Sequence, residues 1–394
     1  MTHDPVWQAA QHDHDSVITL TRDLVRLPSR GGIDPYGPAL DHLEAWLTGR
    51  GLPARRLKGP SGDAVALVVE MHGAQPGPRY VLDACLDTAP FGDEAAWTHA
   101  PTSAASDGGW LYGRGAADSK AAVAVFSHIG VRLAAVRDRL RGSVVLLFDV
   151  DEHTGVFGGA KMYFRDAPPV AGVMIGYPGG DHVVVGGRGV LRARLHVHGV
   201  SSHSGGSRPT PNAIVKAAEL VQKLRDAPLP GPAQAFPPLP KLTVTAISGG
   251  EGYSVVPDLC TVNVDVRLTP SLDDRAGETL VRECVRAVDR RWPDTAPTHV
   301  EITTRWPPYA LADTDPMVRE LVDAATRYGL APSPKIAGPS NIGNYLAGLG
   351  IPATAGFGVD YEGLHATDER IRLASIPAVQ AVYHRTLLGL LASR

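Results

Sequence analysis

The chain has 394 residues, 44% of them apolar and 20% charged, with 38 Lys and Arg against 41 Asp and Glu. Those proportions suit two or three folded domains and exclude a disordered or fibrous chain. The balanced charge, without a basic stripe, excludes nucleic acid as an expected partner; no apolar run reaches the roughly 18 residues of a membrane helix, so no membrane is expected either.

The polar residues 1–17 lack the apolar stretch of an export signal, so a cytoplasmic protein is expected. Cys85, Cys260 and Cys284 show no paired spacing and fit free thiols in a reducing compartment. In chain order, Val17, Leu20, Leu24 and Val25 predict a helix over 15–27, stopped by Pro28. A second helix is predicted over 39–51, with Gly51 as its cap. Short apolar runs at 64–71, 80–85, 144–150 and 173–176 read as strands buried on both faces, and a helical segment at 119–133 separates two of them. The alternation predicts an α/β layer: a mainly parallel sheet with helices on both faces. Sites form at the carboxyl ends of such strands. There the chain places Asp87, then Asp149, Asp151, Glu152 and His153, then Tyr177.

From Gly189 the texture changes. Residues 190–198 alternate apolar and polar, as a half-exposed strand does. Thr210 and Pro211 read as the cap and first residue of a helix reaching Leu224. A Pro-rich loop at 228–240, strands at 242–247 and 259–267, an amphipathic helix at 272–291 and a strand at 299–304 follow. The order βαββαβ is the ferredoxin-like arrangement, whose open sheet edge invites dimerisation. Helices return at 317–328 and 376–391. The expected division is one α/β domain over 1–187 and 307–394, interrupted by a small domain over 188–306.

Five polar clusters stand out: Cys85 with Asp87; Gly113 to Lys120 around Asp118; Asp151, Glu152 and His153; Ser202, His203 and Ser204; and His365 to Arg370. Singly, each reads as readily as packing or surface. Together, in this order, they make the chain resemble the metallopeptidase family of aminoacylase, acetylornithine deacetylase, succinyl-diaminopimelate desuccinylase and carboxypeptidase G. The resemblance runs along nearly the whole chain, through LDTAPFGDEAAWTHAP, LYGRGAADSKAAVA, DEHTGVFGGA, GVSSHSGGSRPTPNAI, VVPDLCTVNVDVR and LHATDER.

The resemblance implies a role for each residue. Asp118 falls at the carboxylate that bridges two zinc ions. His153 and His365 fall at the remaining ligands of one ion, Cys85 and Tyr177 at those of the other, and Asp87 at the acid that orients the residue at 85. Glu152 falls at the general base. His203 falls at the histidine that reaches across a dimer interface to the oxyanion, and Arg267 at the grip on the substrate carboxylate. Ser254 and Asn341 stand where the family has Asn and often Asp. Residues 1–187 with 307–394 become the catalytic metal-binding domain, and 188–306 the lid and dimerisation domain.

Three ligand positions depart from the family: Cys85 replaces His, His153 replaces Glu, and Tyr177 replaces an acid. Two imidazoles and a carboxylate suit zinc or another divalent metal. A thiol must first be deprotonated and a tyrosine titrates near about 10, so one well-formed metal site is expected and the second weak or empty. The expected function is a metal-dependent amidohydrolase. It would cleave an amide beside a carboxylate, in an N-acyl amino acid or small peptide, with Glu152 handling the proton of water. Two alternatives stand beside it: the same fold turned to amide formation or cyclisation, and a non-catalytic dimer that binds carboxylated ligands through Arg267.

Overall fold

In the computed structural model, which describes residues 4–392, the apolar runs form a six-stranded sheet. Its order is Arg55–Lys58, Ala64–His72, Arg141–Asp149, Gln75–Cys85, Gly172–Ile175 and Ala353–Ala355. The first two pairings are antiparallel and the other three parallel. Every residue of Arg141–Asp149 beyond Arg141 is buried, as in a strand covered on both faces. Register sets Cys85 opposite Asp149, so two parallel strands finish side by side at their carboxyl ends.

The first helix is Pro5–Val25, longer than its sequence pattern suggested. Asp4 caps it by accepting a hydrogen bond from Val6 N at 2.9 Å, and Pro5 opens it where a missing N–H is harmless. The buried face runs Val6, Ala10, Asp13, Val17, Leu20, Leu24. Asp13 hides that periodicity; inside, it accepts hydrogen bonds from Arg132 Nε at 3.0 Å and Gln380 Nε2 at 2.7 Å. Pro5–Val25, Ala121–Ala134, Pro316–Arg327 and Ile376–Leu390 pack together and share one apolar core with the sheet.

The chain divides into two compact units. The larger comprises Met1–Val185, Leu311–Lys335 and Gly350–Arg394, and the smaller Gly186–Ala310 and Ile336–Leu349. The segment Ile336–Leu349, grouped with the larger domain on sequence, belongs to the smaller unit. There Asn344 Nδ2 donates to Pro307 O at 2.9 Å and Gly187 O at 3.3 Å.

The smaller unit is built on a four-stranded antiparallel sheet, ordered Lys241–Gly249, Leu259–Leu268, Gly189–His198, His299–Trp306. Leu191, Ala193, Leu195 and Val197 alternate onto one face with Val262, Val264 and Val266, and join the helices Ala213–Arg225 and Asp274–Asp289 in a second core. The former helix starts after Asn212 rather than Thr210, because the Asn212 carboxamide oxygen accepts from Ile214 N at 2.8 Å and Val215 N at 3.3 Å. Lys241–Gly249 is an edge strand, exposed from Thr245 onward. Among the described residues, no helix is long and apolar enough to cross a membrane.

Candidate metal centre

Cys85 ends its strand, Glu152 and His153 follow Arg141–Asp149, and Tyr177 follows Gly172–Ile175. Asp118 comes from the turn that precedes Ala121–Ala134, and His365 from a loop where its backbone is left-handed, at φ 59°. All six lie in the larger unit.

The turn that delivers Asp118 needs its glycines. Gly113 and Gly115 have φ of 148° and 81°, and a Cβ on Gly115 would come within 2.3 Å of Thr88 Cγ2. Below the turn, Arg114 and Glu369 form an ion pair at 2.6 Å, with side chains 2% and 0% exposed. Glu369 Oε1 accepts hydrogen bonds from Ala117 N at 3.0 Å and Asp118 N at 3.4 Å. Arg114 also donates to His365 O at 3.1 Å, and Asp368 accepts from Thr98 N at 2.8 Å. One buried pair therefore braces two candidate ligands that are distant in sequence. Both residues lie inside motifs recognised earlier, yet nothing in the sequence links an arginine at 114 to a glutamate at 369.

Asp87 is fully buried. Its Oδ1 accepts from Glu152 N at 3.1 Å and its Oδ2 from His153 N at 2.8 Å. The residues it orients are therefore 152 and 153. Gly31 packs against the same place, with room too small for a Cβ to sit easily beside His153.

Asp118 Oδ2 lies 2.9 Å from His365 Nε2 and 3.5 Å from His153 Nε2. One ligand atom from each of Asp118, His153 and His365 lies within 4.8 Å of the others. Two further groups meet the same limit: Cys85, Asp118 and Glu152, and Cys85, Asp87 and His153. Asp118 Oδ1 accepts from Ser119 Oγ at 2.8 Å and has the Cys85 Sγ at 4.0 Å. The Tyr177 hydroxyl donates to Glu152 Oε1.

The electrostatics separate two halves of this cluster. Burial disfavours charge on His153, but the carboxylates of Asp118 and Asp87 outweigh it and hold the imidazole protonated up to about 11. Burial works against the Asp118 carboxylate too, and His153 and His365 more than reverse it, so the group stays ionised well below the ordinary range. Around Cys85 and Tyr177 nothing offsets burial. Burial, then the negative charge of Glu152 and Asp118, pushes both groups well above their ordinary values. Glu152 is raised to about 8 by burial first and Asp118 second. Deeper, Asp83 and Asp149 are both 3% exposed, and burial drives both carboxyls strongly upward.

The residues fit a divalent cation at the first position. Two imidazole nitrogens with a carboxylate oxygen form a zinc donor set. His153 Nδ1 is a buried atom without a hydrogen bond, 3.4 Å from Asp87 Oδ2. A carboxylate behind a ring nitrogen is how ligating imidazoles are oriented.

The remaining candidates lie in the smaller unit. His203 is exposed in the short strand Ser202–His203, and its Nδ1 accepts from Gly205 N at 3.0 Å. The Ser254 carbonyl accepts from Ser204 N at 2.9 Å. Arg267 donates through Nε to Asp265 Oδ1 at 2.7 Å and through Nη1 to Ser340 Oγ at 3.1 Å. Asn341 caps the short helix Ile342–Gly348, its Oδ1 accepting from Gly343 N at 2.8 Å.

The model of a protein family described as peptidase family M20/M25/M40 matches residues 81–389. A succinyl-diaminopimelate desuccinylase from Rhodospirillum centenum is 30% identical over 390 residues, spanning 94% of this chain and 96% of that protein. Another, from Cereibacter sphaeroides, is 28% identical over 395 residues, spanning 94% and 97%. Among solved structures, an M20 family metallo-carboxypeptidase from Sulfolobus solfataricus matches with a TM-score of 0.76 at 16% identity, over 95% of this chain and 99% of that one. That last likeness is one of fold.

Proposed function

Because this chain belongs to the peptidase M20/M25/M40 family of metallohydrolases, we propose that it hydrolyses an amide adjacent to a carboxylate, in an N-acyl amino acid or a small peptide. The observation that carries this reading is the meeting of Asp118, His153 and His365 within 4.8 Å of one another, with Glu152 grouped beside Asp118. Asp118, His153 and His365 would hold one divalent cation, zinc foremost, and the position of Cys85 and Tyr177 is weak or vacant. When bound, the cation supplies Lewis acidity toward the amide carbonyl.

The protein's own groups do the rest. Glu152 takes a proton from the attacking water and passes it to the departing amine, for which a carboxyl group raised toward neutrality is suited. Asp87 fixes the backbone of Glu152 and His153 through its two accepted hydrogen bonds. Arg267 is assigned to the substrate carboxylate, which its planar fork matches, with Ser254 and Asn341 beside the substrate. His203 is assigned to the oxyanion.

The working form is a cytoplasmic homodimer joined through the smaller unit. The exposed edge of Lys241–Gly249 and the exposed Ile214, Val215, Ile247 and Val255 support that pairing.

The test is a panel of N-succinyl and N-acetyl amino acids and dipeptides, with zinc-loaded protein and with chelated protein. Zinc-dependent release of amine from a panel member is expected. Glu152→Gln should lower the rate by about 10²–10⁴-fold with zinc content unchanged. Full activity in chelator, or in Glu152→Gln, contradicts the proposal.

A further inference from the structure

We propose that the Tyr177 hydroxyl takes the place of a second cation: it positions Glu152 through a hydrogen bond, and with the Cys85 thiol it limits each chain to one zinc. The proposal rests on the hydrolytic reading of the site and adds a residue to it.

Three observations converge. The first is the hydrogen bond itself. The phenol donates to Oε1 of Glu152, so one carboxylate oxygen is fixed and the other is left for the reaction. A carboxylate without a fixed partner samples several rotamers, and holding one is what a positioning residue contributes.

The second is the donor set. Cys85, Asp118 and Glu152 bring a sulfur and two carboxylate oxygens within 4.8 Å of one another. With Glu152 kept for the reaction and engaged by Tyr177, Cys85 and Asp118 remain, two donors where a zinc position takes at least three. Here the attraction toward Glu152 is met by an O–H group, and the thiol beside Asp118 is 1% exposed. A phenol and a buried thiol stand on that side of Asp118 where two further ligating side chains would be needed.

The third is the setting of the ring. Tyr177 lines a small, mainly apolar cavity with Ala117, Phe126, Phe357, Val359 and Tyr383. Gly356 and Gly358 press on the same residue, and a Cβ at 358 would come within 2.2 Å of Tyr177 O. An aromatic ring fills such surroundings, whereas a short acid at 177 would place a charge against apolar walls. The backbone is held, the ring is packed, and the hydroxyl emerges at Glu152. Tyr177 is a positioning residue in this account, because it acts on the reaction through Glu152.

The experiment counts zinc. Wild-type protein, Tyr177→Phe and the double variant Cys85→His with Tyr177→Asp are stripped by chelator, reloaded with zinc, desalted and analysed for metal per chain, with circular dichroism as the check on folding. The expected contents are about one, one and two, since a third donor group completes a second zinc position only in the double variant. Wild-type protein holding two zinc ions overturns the proposal, as does a folded double variant that still holds one. Metal content reads the same whether or not any amide is hydrolysed, so this arm stands apart from the assignment of the reaction. With the panel member turned over fastest, Tyr177→Phe should lower kcat by about tenfold or more while KM stays within about twofold, the pattern of an interaction used in the transition state. An unchanged kcat removes Tyr177 from the positioning of the base.

Discussion

The two halves of the centre stand on the same scaffold and differ in charge. Asp118 lies 2.9 Å from His365 and 3.5 Å from His153, and Asp118 and His153 stabilise each other's charge against the cost of burial. Cys85 and Tyr177 occupy equivalent ground, at and just beyond the ends of neighbouring parallel strands. There burial meets only negative neighbours, and both groups keep their protons. Strand ends gather side chains at one place; the identity of those side chains then decides whether the place suits a cation.

Removing the shared carboxylate should have the largest effect. Asp118→Asn leaves His153 and His365 without their anionic partner, and both zinc content and panel turnover should fall close to zero. Retained zinc in that variant would move the cation elsewhere and dissolve the contrast between the two halves.

The support beneath the first half comes next. Glu369→Gln leaves the buried Arg114 guanidinium without its counter-charge, which should lower unfolding stability by about 3–5 kcal/mol in a denaturant titration. A loss under about 1 kcal/mol would mean the pair contributes as little as an exposed ion pair.

The second half should be far more tolerant. Cys85→Ser keeps a small neutral group and should leave zinc content unchanged and kcat within about threefold, the range of a polar contact worth well under 1 kcal/mol. Loss of zinc from this variant would make the thiol a ligand and merge the halves.

The smallest effect concerns a histidine outside the centre. His384 is buried like His153, yet burial and then Arg132 and Arg385 lower its imidazole to about 4. The unfolded chain takes up that proton near about 6.5, so between those values the unfolded state binds more protons. Stability should therefore be full above about pH 6.5 and decline as the pH falls toward 4. His384→Gln should flatten that part of a melting-temperature profile, and an unaltered slope would remove His384 as its source. The opposite directions at the two histidines sharpen the point: neighbouring carboxylates raise His153 against burial, whereas neighbouring arginines lower His384 further.

Much of this organisation was readable from the residues. The aliphatic runs at 80–85 and 144–150 correspond to Gln75–Cys85 and Arg141–Asp149 because strands buried on both faces leave an uninterrupted apolar trace. Ala353–Ala355 and Gly158–Asp166 left none, since three small residues or a short Gly-initiated helix carry no measurable period. Asp118, Glu152, His153 and His365 were found through ordered motifs, and the structure brings them together. The brace of Arg114 and Glu369 was illegible, because a pairing 255 residues apart exists only once the chain is folded. So was the hydrogen bond of Tyr177 to Glu152, where an altered ligand position could be recognised but not the direction of its hydroxyl.

The central claim is that Asp118, His153 and His365 share one cation. Anomalous diffraction at the zinc edge, from crystals of zinc-loaded protein, tests it most directly. The account predicts a single peak per chain, about 2.0–2.2 Å from an Asp118 oxygen and from a ring nitrogen of each histidine. A peak bound instead to Cys85, or no peak beside Asp118 in protein that carries zinc, would contradict it.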